Sequence, residues 1–170
     1  NLKLLSAKID GEAVKPTVTP EGLTCEVPNI PFIWECEVQI DPAANTALEG
    51  LYQSSGMYCT QCEAEGFRDI TYYLDRPDVM SEFTTQVIAE KAKYPILLSN
   101  GNPIARGDLD GGRHFVTWHD PFKKPAYLFA LVAGMLSVVE DSFTTLSGRE
   151  VLLQIFVEEK DLDKCDHAMV

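Results

Sequence analysis

Phe32-Ile33-Trp34-Glu35-Cys36-Glu37-Val38-Gln39-Ile40 carries the clearest period in the chain. Phe32, Trp34, Cys36, Val38 and Ile40 fall on one side, and Glu35, Glu37 and Gln39 on the other. Successive side chains of a strand point to opposite faces, so this alternation predicts a strand with one face buried. Asp41-Pro42-Ala43 ends it. Upstream, Leu5, Ala7 and Ile9 alternate with Ser6, Lys8 and Asp10. Asp10-Gly11 predicts a hairpin turn, because both central residues of that turn need positive φ. A short return strand runs through Ala13 and Val14 to Pro16. Pro20-Glu21-Gly22 turns again, and Leu23, Cys25 and Val27 alternate. Cys25 and Cys36 therefore fall on core faces, as small hydrophobes.

Downstream, residues 48–53 read as a short strand leading into Ser54-Ser55-Gly56. Residues 66–74 carry two stripes: Phe67, Ile70, Tyr73 and Leu74 at helical spacing, and Ile70, Tyr72 and Leu74 at strand spacing. A single short helix is the reading adopted, stopped by Arg76-Pro77, with Asp78 as the cap of one further turn. Phe83, Thr85, Val87 and Ala89 form a strand stripe. Residues 96–99 and the segment around Ile104 are expected to make a hairpin across Asn100-Gly101. Asp110-Gly111-Gly112 turns into a strand over 114–118. Residues 127–132 are unbroken apolar and predict a strand buried on both faces. Residues 138–140 and 142–145 read as short pieces, and Ser147-Gly148 turns into Val151, Leu153, Ile155 and Val157. From Glu158 the charged tail reads as a linker or frayed end. Many short strands with glycine-containing turns predict an all-β, mainly antiparallel β-sandwich with one or two short helices.

The chain has 170 residues, which fits one domain, or two small lobes, with a sizeable core. Its 14 basic and 26 acidic residues give a net charge of −12, which argues against nucleic acid or an anionic membrane surface as partner. No apolar stretch is long enough for a membrane span. Five cysteines at irregular spacing and the absence of an Asn-x-Ser/Thr sequon suit a reducing, cytoplasmic compartment. The chain opens at Asn1 with neither a methionine nor a signal-peptide pattern, and is expected to be a piece of something longer.

Against this scaffold one stretch stands apart. Cys59-Thr60-Gln61-Cys62-Glu63-Ala64-Glu65-Gly66-Phe67-Arg68 packs two thiols, an amide, two carboxylates and an arginine around a small-residue bend. Loops held by rigid neighbours are where functional groups concentrate. Cys59 and Cys62 do not make a zinc site by themselves. Such a site needs four ligands, whereas Cys25, Cys36 and Cys165 are scattered singly, and His114 and His119 would face opposite ways on a strand. An acidic Glu-Ala-Glu after the pair would raise a nearby thiol pKa, against redox use. The carboxylates are more informative. On an extended segment Glu63 and Glu65 would share a face and repel unless a cation intervened. Arg68 is the expected partner of Glu65, leaving Glu63 free for an external cation. An ordinary solvated acidic loop has the same spacing. Arg106-Gly107-Asp108 spells an integrin-type tripeptide in a hairpin-like loop, without any extracellular signature. Asp108-x-Asp110-Gly111 opens like a calcium loop but lacks its downstream ligands.

Longer runs resemble a known family. Asn45-Thr46-Ala47-Leu48-Glu49-Gly50-Leu51-Tyr52, the stretch 59–68, and Ile70-Thr71-Tyr72-Tyr73-Leu74-Asp75-Arg76-Pro77-Asp78-Val79-Met80 closely resemble the N-terminal domain of the bacterial aminopeptidase N family. The resemblance continues through Leu97-Leu98-Ser99-Asn100-Gly101-Asn102, Tyr127-Leu128-Phe129-Ala130-Leu131-Val132-Ala133-Gly134 and Ser147-Gly148-Arg149-Glu150-Val151, so it covers nearly the whole chain. These are zinc aminopeptidases of the gluzincin type. The family's His-Glu-x-x-His helix and Gly-x-Met-Glu-Asn motif are absent here. The resemblance implies that residues 1–170 are a saddle-like N-terminal β domain without catalytic residues. It implies a parent enzyme whose zinc and catalytic domain lie outside this chain, with no cofactor in this piece. It also implies that Glu63 binds the α-ammonium at a peptide substrate's N-terminus and that Gln61 supplies a neighbouring amide contact. The rival expectation is a stand-alone β-sandwich module that binds peptides or glycans. A free-standing module should end on a packed strand, whereas this chain trails into Lys164-Cys165-Asp166-His167-Ala168-Met169-Val170 as if cut.

Overall fold

Period-two patterning becomes antiparallel pairing wherever turn chemistry lets neighbouring strands meet. In the computed structural model, which describes residues 2–169, β1 (Lys3–Ile9) turns through Asp10 and Gly11, both at positive φ, into β2 (Glu12–Ala13). A second small hairpin joins β3 (Thr17–Thr19) to β4 (Gly22–Thr24). The alternating stretch after Phe32 is β5 (Trp34–Gln39), paired with β1. Trp34, Cys36 and Val38 are half-buried on it, while Glu35, Glu37 and Gln39 are exposed. Phe32 precedes the strand and is exposed.

The remaining strands are β6 (Gly50–Ser54), β7 (Met57–Gln61), β8 (Ser81–Glu90), β9 (Ile96–Ser99), β10 (Asn102–Leu109), β11 (Arg113–Lys124), β12 (Leu131–Gly134), β13 (Ser137–Thr144) and β14 (Glu150–Val157). One sheet runs β6-β7-β12-β9 and another β10-β11-β8; β13 and β14 pair as a separate ribbon. Pairing is antiparallel throughout the described residues. Val87 of β8, Leu97 of β9 and Ala133 of β12 form a buried cluster between these two sheets, joined by Tyr58, Val116 and Leu131. The Trp118 indole N–H donates to the Leu97 carbonyl at 3.1 Å, tying β11 to β9 across that core. The fold is all-β, with one four-residue α-helix, α1 (Asp166–Met169), and short 3₁₀ turns.

Several local expectations are corrected. Residues 66–74 are not a single helix: a 3₁₀ turn, Gly66–Asp69, gives way to irregular chain. Thr71, Tyr72 and Tyr73 are poor helix formers, and Phe67 and Tyr73 both pack into one aromatic cluster. Asp78 caps no helix; its carboxylate takes a forked pair of bonds from Arg76. Residues 96–99 and 102–109 do not form a hairpin with each other. β9 pairs with β12, and β10 pairs with β11. The chain changes sheets at Gly101, at φ 84°, where a Cβ would meet the His119 carbonyl oxygen at 2.1 Å.

The apolar run 127–132 splits into a 3₁₀ turn, Ala126–Leu128, and β12. At the split the Asn100 side chain stands in for a strand partner, accepting from the Ala130 N–H and donating to the Leu128 carbonyl. Residues 138–140 and 142–144 belong to one strand, β13, and Thr145 lies just past its end. The Arg106-Gly107-Asp108 tripeptide lies within β10 rather than in a loop, with Asp108 paired to Lys91 at 2.7 Å. The strand expected over 114–118 runs further, so that His119 and Asp120 lie within β11. Nor is the tail from 158 a frayed linker over its described length. It winds through a 3₁₀ turn, Glu159–Lys164, into α1, with Cys165 buried. Val170 lies outside the described residues.

Candidate functional site

β7 carries the functional stretch as far as Gln61 and then stops. Beyond it the chain leaves the sheet in a turn over 62–65, closed by the Gly66 N–H donating to the Cys62 carbonyl at 2.9 Å. The closure requires glycine. A Cβ on Gly66 would lie 2.3 Å from the Gln61 carbonyl oxygen and 2.8 Å from the Gly50 nitrogen. Beneath the turn sits a second core cluster of Cys62, Phe67 and Ala126, with Ile70, Tyr73, Phe83 and Phe129 around it. The Phe67 ring meets Tyr73, Phe83 and Phe129 edge-on, at centroid distances of 5.0, 5.9 and 5.0 Å. The polar turn thus stands on a rigid aromatic base.

Glu63 and Glu65 do not alternate along an extended segment; both lie in the turn, and both are exposed. The Glu63–Ala64 peptide is cis. Glu65 pairs with the Arg68 guanidinium at 3.2 Å, as the spacing suggested. Arg68 is held from its other side by Asp75, a residue that sequence reasoning missed. The Asp75 carboxylate accepts the Arg68 backbone N–H at 3.0 Å and lies 3.5 Å from Nε, and the Asp75 carbonyl accepts from Nη2 at 2.6 Å. Asp75 is only 6% exposed, so its negative charge is compensated locally rather than by water. No motif announces it: an aspartate seven residues after an arginine has no characteristic spacing. Glu63 has no ion-pair partner among the described residues. The Gln61 side-chain amide donates to the Glu63 carbonyl at 3.1 Å, so the two predicted site residues are brought together.

Cys62 is buried, and its thiol is pushed up to about 11, first by burial and then by the Asp75 and Asp69 carboxylates. The direction is the one expected from an acidic setting, but Glu63 and Glu65 are not its source. All five cysteines are free. Among the described residues no group of three or more His, Cys, Asp or Glu is arranged to hold a metal. His114 is buried with Nε2 2.8 Å from the Tyr94 carbonyl oxygen, while His119 bonds Thr84. These residues do not fit a zinc site. A cleft of about 370 Å³, lined by Asp41, Asn45, Glu49, Leu51 and Asp69 among others, includes neither Gln61 nor Glu63. The candidate site is an exposed ledge: the Gln61 amide at the end of β7 and, on the tight turn that follows, the Glu63 carboxylate, without an ion-pair partner among the described residues.

Comparison with known proteins defines the class. Residues 15–128 match the family described as the peptidase M1 N-terminal domain, and the chain belongs to that family. It is 56% identical over 171 residues to aminopeptidase N of Escherichia coli K12, covering 99% of this chain and 20% of that protein. It is 55% identical over 172 residues to aminopeptidase N of Caulobacter vibrioides, with the same coverage. The chain therefore spans about a fifth of the length of these curated relatives. Among solved structures, Legionella pneumophila aminopeptidase A in complex with aspartic acid superposes with a TM-score of 0.93 at 37% identity, over 99% of this chain and 20% of that one. An M1 zinc metallopeptidase from Deinococcus radiodurans shares the fold, with a TM-score of 0.75 at 16% identity over 93% of this chain and 38% of that one. Among the described residues no helix is long and apolar enough to cross a membrane.

Proposed function

We propose that residues 1–170 are the N-terminal β domain of a longer zinc aminopeptidase, and that Glu63 anchors the substrate's α-ammonium with Gln61 beside it. The observation that carries the reading is the division of charge on the turn. Arg68 neutralises Glu65, while Glu63 stays exposed without a partner among the described residues. A peptidase that removes N-terminal residues must tell a free α-ammonium from an internal amide. A fixed carboxylate does so, because only the cation offers it a charge-assisted hydrogen bond. Anchoring the amine also sets register, so that the first peptide bond, and no later one, is presented for cleavage. Gln61 lends its amide to the Glu63 backbone, which steadies the turn and leaves its oxygen free to meet a second donor. The relative solved with aspartic acid, itself a free amino acid, is in keeping with this chemistry.

In this reading zinc and the groups that hydrolyse the peptide come from the rest of the parent polypeptide, which is the partner of this domain. A bound zinc ion would activate water and polarise the scissile carbonyl. A cytoplasmic setting fits the five free thiols. The test is Glu63→Ala in the full-length parent enzyme, assayed on peptides with a free N-terminus. kcat/KM is expected to fall roughly 10²–10⁴-fold, with thermal stability unchanged. An unimpaired variant removes the assignment.

A further inference from the structure

The carboxylate that would meet the ammonium is exposed and sits on a turn, and exposed turns move unless something holds them. What holds this one is a chain of charge on its C-terminal side. Arg68 reaches back to Glu65, two residues beyond Glu63, at 3.2 Å. The same guanidinium is bound by Asp75 through its carboxylate at 3.5 Å and its carbonyl at 2.6 Å. The Asp75 carboxylate also accepts the Arg68 backbone N–H, fixing the first turn of Gly66–Asp69 from seven residues away. Asp75 is buried where Glu65 is exposed, so the fixed end of the chain is Asp75 and the loose end is the turn.

The arrangement also does something electrostatic. Glu63 lies five residues before Arg68, and an arginine released from its partners could swing to it. Each of the three guanidinium nitrogens already faces Glu65 or Asp75, so turning toward Glu63 would give up those contacts. Glu63 is thereby kept unpaired and available.

We propose that Arg68 and Asp75 are positioning residues for Glu63, holding the 62–65 turn in place and keeping the arginine off the anchoring carboxylate. This rests on the reading of Glu63 as the ammonium anchor. Neither residue touches substrate in it; both act through Glu63, and the test follows from that.

The full-length parent enzyme is made as wild type, Glu63→Ala, Asp75→Asn and the double variant. Asp75→Asn keeps the shape and the acceptor for the Arg68 N–H but removes the charge that holds the guanidinium. Asp75→Asn is expected to raise KM for free-amine peptides roughly tenfold while kcat changes less than about threefold. The double variant is expected to be no worse than Glu63→Ala, because groups acting through one another do not add. Two results overturn the positioning role while leaving the anchor standing: an unchanged KM in Asp75→Asn when Glu63→Ala is impaired, or effects that multiply fully in the double variant. An unimpaired Glu63→Ala overturns the anchor itself, and the positioning role with it. Should Asp75→Asn fail to fold, Arg68→Lys is read in the same cycle. It keeps the charge, loses the fork, and is expected to raise KM by a smaller factor without adding to Glu63→Ala.

Discussion

Gly66 shows how little room the candidate site leaves for variation. Its missing Cβ is the space into which the Gln61 carbonyl and the Gly50 nitrogen pack. Gly66→Ala is therefore expected to cost about 1–3 kcal/mol by overpacking against backbone that cannot rotate away. Urea unfolding measures the loss, and a stability equal to wild type would show that the turn can open without cost. Cys62 supplies a second prediction. Its thiol is raised to about 11 in the folded protein, chiefly by burial. Above the ordinary thiol range the unfolded chain loses this proton while the folded chain keeps it. Stability should then fall as pH rises from about 9 toward 11. Cys62→Ala should flatten that alkaline limb in urea midpoints measured across the range, and an unchanged slope would count against the assignment. The stretch 59–68 was legible as a candidate because polar groups crowd where strand alternation breaks, while the roles proposed for Gln61 and Glu63 came from the family resemblance. Asp75 was not, because a buried acid becomes legible only once its cation is seen beside it.

Among the elements, β11 carries the least expected feature. Its register against β8 shifts between Asp120 and Lys124, and the bulge turns Lys124 inward over the Phe83 ring, 4.4 Å from its centroid. Lys124 is 8% exposed and pairs with Asp120 at 2.7 Å. The hydrogen bond from Lys124 holds the Asp120 carboxyl below the usual carboxylate range. Asp120→Asn leaves a buried ammonium without its counter-charge and is expected to cost about 3 kcal/mol. The sign with pH follows from the lowered folded value. The stabilisation is present above the ordinary carboxylate range and is lost as pH falls through the folded value. The gap between wild type and Asp120→Asn in urea midpoint should therefore narrow on acidification, and a gap constant down to pH ~3 would contradict the pairing. The strands β1 and β5, with their clean alternation, and the Asp10-Gly11 hairpin of β1 with β2 were readable from local pattern, whereas the pairing of β1 with β5 was not. The imagined hairpin of β9 with β10 was not, because proximity in sequence competes with better partners brought by later chain.

Taken whole, the molecule is a strongly acidic β domain whose ion pairs lie mostly at the surface. Arg76–Asp78, Lys91–Asp108 and Lys93–Glu90 are all well exposed, and such pairs contribute only about 0–1 kcal/mol each. A net charge of −12 repels itself across the surface. Raising salt from ~0.1 to ~1 M shortens the screening length from about 10 to about 3 Å and should raise Tm by a few degrees. A fall in Tm by calorimetry would mean that the favourable pairs outweigh the net repulsion. At this scale the division between sequence and structure is clear. Alternation and turn glycines determined an antiparallel all-β domain, and crowded polar groups drew attention to residues 59–68, because each of these signals is local and survives without neighbours. Which strands pair, where the apolar run 127–132 breaks, and how Arg68 is shared between Glu65 and Asp75 were decided only by the tertiary structure. Those outcomes depend on segments far apart in sequence competing for the same hydrogen bonds and the same buried space.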